Sequence, residues 1–285
     1  MPRWPLLFLL GLLVVGGVIG FRPVAQSPSS FIEWCASSDA DRTAIGDRLL
    51  PPLARTTTGE RRLLGTDQLG RPLALRLCLA LGTSLAIAGI GCLVAVTIGT
   101  SIGTLAAVAG GRTDQFLMRS AEVTAGIPAI LVIMVLVAAL KPWGLWVLFA
   151  AMGLLFWQGI ARVVRARVMR LRGELYVDAA IVIGAGRWHR LRRHILPGAW
   201  PTVLAYGSLL LPKLILLESL LAYLGVGAGS PHSFGRIISG VTATLTPLSQ
   251  SWWPVIVPCA ALALFVLILN LALDAGADAA SNAGH

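Results

Sequence analysis

Glu174 to Pro197 reads ELYVDAAIVIGAGRWHRLRRHILP and is the only long polar interruption late in an otherwise apolar chain. Six charged or titratable side chains fall between Arg187 and His194 alone. The stretch predicts two short helices joined by a turn. Tyr176 to Ile183 suits a helix, and small Ala179 and Ala180 at its centre allow another protein surface to approach closely. Gly184 and Gly186 supply the positive φ that ends a helix. Arg187 to Ile195 restarts as a basic amphipathic helix, and Pro197 sits where the next apolar segment begins.

The flanking sequence decides the setting of this stretch. The 285 residues are 56% hydrophobic and 13% charged, with a mean hydropathy of +0.79. A soluble domain of this size cannot hide that much apolar surface, so the expected fold is an all-α polytopic membrane protein. The net charge of +10 would suit nucleic acid, but its distribution argues for membrane lipid instead. Nine of the 23 basic residues lie between Arg162 and Arg193, beside apolar segments. That is the pattern of a cytoplasmic loop at an anionic leaflet.

A span needs about 20 apolar residues. Six candidates emerge: Trp4–Phe21, Leu77–Val108, Phe116–Leu140, Leu145–Ile160, Ala199–Leu224 and Pro254–Leu273. The first also has the length of a secretory signal peptide, although Pro23-Val24-Ala25 is a poor cleavage site. The second exceeds what a bilayer needs, so its start is expected to be interfacial or tilted. Six spans put both termini on one side. A cytoplasmic Arg162–Arg193 loop makes that side the cytoplasm, His285 included. The competing loop, Arg22 to Arg76, holds eight arginines in 55 positions and is less dense, while Gly225–Trp253 carries only Arg236. Both are expected outside.

Catalytic chemistry is sparse. No GxxxxGK[ST] phosphate cradle is present. An intramembrane enzyme would need paired acids, a Ser/His or Ser/Lys pair or a His cluster, yet His189, His194, His232 and His285 all lie outside the bilayer centre. Asp39 and Asp41 read as a solvated charge cluster. Cys35, Cys78, Cys92 and Cys259 show no metal-binding spacing, so neither a metal nor a catalytic residue is expected. A secondary transporter would show inverted repeats or several buried acids, and neither is visible.

Three motifs do stand out. Asp178-Ala179-Ala180, then Gly184-Ala185, then His194-Ile195-Leu196-Pro197 resembles the EAA loop of ABC-importer permeases, with Asp178 where that family usually carries Glu. A plain basic loop with a helical hairpin is the competing reading of this stretch taken alone. Gly65-Thr66-Asp67-Gln68-Leu69-Gly70-Arg71 is chemically a turn with an Asp suited to capping the next helix. It resembles the GTDxLGRD signature of the dipeptide/oligopeptide/nickel group of these permeases, with Pro72 replacing the second Asp. Glu218-Ser219-Leu220-Leu221-Ala222-Tyr223-Leu224-Gly225-Val226-Gly227 resembles the same group's E-x-x-L-S-F-L-G-L-G. Ser233-Phe234-Gly235 and the Trp252-Trp253 pair resemble its external elements, and the tryptophans also make sense as interfacial anchors.

The resemblance runs from about Gly65 to Asp274 and implies a type I ABC-importer permease fold in the inner (cytoplasmic) membrane. It implies a first transmembrane helix over 1–21, an external loop over 22–76, and a five-helix core over 77–285 with a cytoplasmic coupling loop at 161–198. In that family the loop docks into a groove of an ATPase subunit. Asp178, Ala179, Ala180, Gly184, Ala185, His194, Leu196 and Pro197 would then carry the coupling. ATP would be hydrolysed by two separate ATPases, beside a homologous second permease and an external solute-binding protein. The cargo would be short peptides, or alternatively a nickel or other metal chelate.

Ionisable residues inside spans are costly unless paired or hydrated. Arg119 lies one turn before Glu122, so a local pair is expected there. Glu218 falls near the outer mouth, where water can reach it. Lys213 lies about 14 residues into the fifth span, roughly 21 Å from its cytoplasmic end. A wet translocation path, an acid from the partner permease, and snorkelling to the outer interface are the three readings open for it.

Overall fold

The computed structural model describes residues 43–140, 144–226, 232–242 and 251–282. The expected span Trp4–Phe21, Cys35, Lys141, Gly227 and His285 lie outside the described residues. Among the described residues the regular structure is helical. After a short turn at Ile45–Asp47 come α1 (Leu73–Ala109), α2 (Gly111–Gly126), α3 (Ala129–Ala139), α4 (Gly144–Arg172) and α5 (Leu175–Val182). They are followed by α6 (Arg187–Tyr223), α7 (Phe234–Thr242) and α8 (Trp253–Asn282). Three helices are long and apolar enough to cross a bilayer: α1, α6 and the Trp253–Leu273 part of α8. The pair α2–α3 makes a fourth if it counts as one span.

That pair departs from the straight span expected over Phe116–Leu140. The chain bends by 82° between α2 and α3. Pro128 cannot donate a helical hydrogen bond and pushes Ile127 into extended backbone (φ −88°, ψ 128°), which ends α2 there. The fourth segment also differs, because its helix does not stop at Ile160 but runs on through five arginines to Arg172. At 37 residues α1 is about 55 Å long. At its start Leu73, Arg76 and Leu77 are buried in a cap described below.

The tightest packing joins α1 to α4. Gly91, Ala95, Gly99, Gly103 and Ala107 recur every fourth residue and so share one face of α1. A Cβ on Gly99 would come within 2.6 Å of the Trp157 carbonyl oxygen, and one on Gly103 within 2.4 Å of that of Ala161. In return, a Cβ on Gly153 of α4 would strike Val94 at 2.2 Å. Small residues permit this backbone approach, which is how helices gain dispersion contact where lipid removes the hydrophobic driving force. Higher numbers on α1 meet higher numbers on α4, so the two helices run parallel and α2–α3 makes the return.

The centre of the bundle is α6, which packs against α1, α3, α4, α7 and α8. Leu210, Leu214, Ile215 and Leu221 fill its inner faces against Ile87 and Met152. The helix continues unbroken past Pro201 and Pro212. It also runs through the boundary expected at Pro197. Five residues, Leu191–Ile195, form a wider π turn just ahead of that proline. Such a turn accommodates the N–H that Pro197 lacks.

Candidate functional site

Two polar assemblies occupy opposite ends of α6. At the basic end, α5 starts after extended Glu174 and stops at Ile183. Gly184 then takes φ 80°, and the Ala185 N–H donates to the Ala180 carbonyl at 2.9 Å, closing the helix end. Gly186, also expected at positive φ, instead has φ −63° and precedes α6 in extended conformation. The helical period points Val177 and Ala180 into the chain, at 2% and 4% exposure. Of the alanine pair, only Ala179 is therefore on the surface, beside exposed Asp178. Leu175, Val182 and Ile183 are each more than four-fifths exposed, and Trp188 is also mostly exposed. These residues put apolar side chains around an otherwise basic loop.

The start of α6 adds a shallow cavity of about 440 Å³ lined by Trp188, His189, Arg192 and Arg193. The His194 ring lies 6.1 Å from that of His189 and 6.3 Å from that of Tyr176, linking α5 to α6. Leu196 and Pro197 are half-buried. Below them, Arg165 of α4 donates to both carboxylate oxygens of Asp114 in α2, and Arg172 donates to the Ala107 carbonyl of α1. The basic loop is thus fixed to the bundle by its arginines while its apolar side chains face outward.

At the other end, residues 43–72 fold over the start of α1. Thr66 Oγ1 donates to the Asp47 carbonyl (2.6 Å) and accepts the Leu50 N–H (2.8 Å). Asp67 is 3% exposed and does not cap α1, whose N-cap is Pro72. Its Oδ1 accepts the Leu69 and Arg71 N–H groups, each at 2.9 Å. Its Oδ2 accepts from Arg71 Nε (2.8 Å) and from the buried Arg76 guanidinium (2.7 Å). Gly65 and Gly70 have φ 78° and 76°, and a Cβ on either would run into the carbonyl of Leu50 or Ala44. Gln68 Nε2 donates to Val241 of α7 (3.0 Å), and Trp253 Nε1 donates to Thr66 (3.4 Å). The Gly65–Arg71 stretch therefore ties the loop, α1, α7 and α8 into one cap.

Glu218 belongs to this cap as well. It is 2% exposed and accepts the Ser84 hydroxyl of α1 at 2.8 Å. The expectation of a solvated carboxylate is thus corrected: the segment around Ser233 and Phe234, both buried, covers it. Gly235 seats that segment, since a Cβ there would fall 1.8 Å from the Ser219 carbonyl. Leu224 is half exposed where α6 ends, and Gly225 takes φ 79°. The Arg119–Glu122 pair forms as expected, at 3.0 Å between exposed side chains.

A model of the family described as binding-protein-dependent transport system inner membrane component matches residues 99–281. The chain belongs to that family. This permease is 35% identical over 216 residues to the oligopeptide transport system permease protein OppC of Haemophilus influenzae, spanning 75% of this chain and 68% of that one. It is 31% identical over 274 residues to the dipeptide transport system permease protein DppC of Bacillus subtilis, spanning 96% and 79%. The fold resembles that of the MetNI methionine ABC transporter in inward-facing conformations, with a TM-score of 0.59 at 17% identity, covering 73% of the permease and 97% of that chain. The family is one of transport permeases, and the protein is a multi-pass component of the inner membrane.

The permease's sequence motifs thus sort by position. Asp178 to Pro197 gather at one end of α6, whereas Gly65–Arg71 and Glu218–Gly225 gather at the other. Sequence reading missed three contributors. Arg76 is the buried partner of Asp67, buried Trp253 is a hydrogen-bonding clamp, and Gly91 to Ala107 form the α1–α4 seam. The seam had a legible signal, Gly99-x-x-x-Gly103.

Proposed function

We propose that this chain is a permease subunit of an ABC importer for short peptides, driven by separate ATPases. The names of its relatives support the cargo. The observation that carries the coupling is the exposed apolar crest of Leu175, Val182, Ile183 and Trp188 around Gly184, at the foot of the central helix. Apolar surface of this kind on a charged loop is what a protein partner covers. The partner is an ATPase whose groove takes α5, with Asp178, Ala179, Gly184 and Ala185 at the contact. Buried Ala180, with His194, Leu196 and Pro197, holds α5 against α6. A second, homologous permease, a second ATPase and an external solute-binding protein complete the importer. The loop 161–198 and both termini face the cytoplasm, and the outer cap faces the binding protein. ATP-driven closure of the ATPases moves α5 as a rigid element and rocks the helices between inward- and outward-open states.

Gly184 offers the test. A Cβ there would meet no atom within 4 Å, so a large side chain collides with nothing inside the chain. Its positive φ adds a backbone strain of about 1 kcal/mol that alanine shares. Gly184→Ala is therefore expected to keep most uptake, while Gly184→Trp strips the ATPases from the purified complex or uncouples ATP hydrolysis from uptake. Normal uptake by Gly184→Trp would remove the docking assignment.

A further inference from the structure

Lys213 lies where a charge has the least excuse. It is about 10 residues before the end of α6 at Tyr223 and about 14 beyond Ala199, where the expected span begins, hence roughly 15 and 21 Å along the helix from those two points. Its four-carbon stem is shorter than either distance. Its ammonium lies over the Phe156 ring of α4, 5.3 Å from the centroid. That is within the range of a cation–π contact.

The face of α6 that carries Lys213 is exposed among the described residues, apart from the Phe156 ring. Ala205, Leu209, Lys213, Leu216 and Leu220 form an exposed stripe, whereas the other faces of α6 pack on α1, α3, α4, α7 and α8. Lipid against this stripe would place an ammonium in hydrocarbon, the environment that penalises it most. No carboxylate of the described residues pairs with it either. Glu218 is buried against Ser84, and Glu122 is engaged by Arg119 on α2. Among the described residues, the Phe156 ring is thus what offsets the charge, and the ammonium keeps its donors for a further anion.

We propose that Lys213 is a selectivity post in the translocation path, where its ammonium, steadied by Phe156, engages a carboxylate of the passing solute. This rests on the peptide-importer reading above and names the chemical class the path favours, short peptides with a side-chain carboxylate. The Phe156 contact fits a transient partner. A π face offsets part of the charge and leaves the ammonium's N–H donors available, so a carboxylate binds and leaves without a permanent ion pair having to break. A fixed acid on the second permease would instead make Lys213 an assembly contact.

The test uses the complete importer in proteoliposomes, with binding protein saturated by Ala-Glu-Ala or by Ala-Lys-Ala. For Lys213→Met we expect transport of the acidic peptide to fall about tenfold relative to the basic one, the scale of one charge-assisted contact. The amount of assembled complex should stay unchanged. Lys213→Arg should keep the wild-type ratio, and Phe156→Leu should shift it in the same direction as Lys213→Met, by less. An unchanged ratio in Lys213→Met overturns the inference. So does loss of assembly with an unchanged ratio in the complex that remains, which assigns Lys213 to an acid of the partner permease. If the wild-type importer moves neither peptide, the peptide reading itself falls, and the inference with it.

Discussion

Replacing Asp67 with asparagine swaps one carboxylate oxygen for an amide nitrogen and should loosen the whole cap. The amide keeps an oxygen for the Leu69 and Arg71 N–H groups but turns a donor toward two guanidinium groups that are also donors. Arg71 is 21% exposed and can recover water, whereas the Arg76 side chain is 4% exposed and cannot. Removing one partner of a buried pair costs about 3–5 kcal/mol, and Arg71's access to water places this case at about 3 kcal/mol. Thermal unfolding of the purified complex, followed by tryptophan fluorescence, measures the loss. The same substitution in an Arg76→Met background leaves no stranded charge there. It should then cost only about 1 kcal/mol for the weakened turn, giving a coupling of about 2 kcal/mol. Equal losses in both backgrounds, or a loss under about 1 kcal/mol in the wild type, would refute the assignment of Asp67 as the anchor of Arg76.

Gly103→Leu should abolish the folded permease, because the Ala161 backbone lies where the side chain must go, and size-exclusion chromatography of a fluorescent fusion should show no monodisperse peak. Gly235→Ala should cost about 3 kcal/mol through its collision with the Ser219 carbonyl and expose the segment between α6 and α8 to protease; Gly240→Ala, with open space around it, should leave cleavage unchanged. Arg119→Ala should shift stability by less than about 0.5 kcal/mol, since both partners of its pair are exposed. Reporter fusions after His285 should be active only in the cytoplasm and those near Ser37 only outside; a periplasmic C-terminus would overturn the orientation.

Local pattern carried the sequence reading far at the basic end. The helix–turn–helix of 175–195, the positive φ of Gly184 and the restart at Arg187 all follow from residue type and spacing. Inward-facing Ala180 was less visible, because a run as uniformly apolar as Leu175–Val182 gives no period to tell its faces apart. The same uniformity hid the α1 seam, where small residues matter only for what lies opposite them. The bend at Pro128 had a local signal, the residue before proline, that apolar composition overrode. Glu218 had none, because the residues that bury it lie around Ser233, beyond the end of its own helix. Asp67 was recognised as important for the wrong bond: its partner Arg76 lies within α1, about one turn past the N-cap Pro72.

The prolines of α6 give that helix a directional softness. Pro201 and Pro212 each withhold an N–H from the carbonyl four residues earlier, Pro197 and Ser208. They are 11 residues apart, and at about 100° per residue both gaps fall within roughly 20° of one meridian. With bonds missing along a single line, the rod bends easily in one plane and stays stiff in the perpendicular one, as a ruler does. A thrust at Trp188 lying in the compliant plane is taken up between turns. A thrust across it reaches Tyr223, about 52 Å away, almost undiminished. Under the proposed docking of an ATPase at this loop, the heading of its stroke, as well as its length, sets how much of it arrives at the far end.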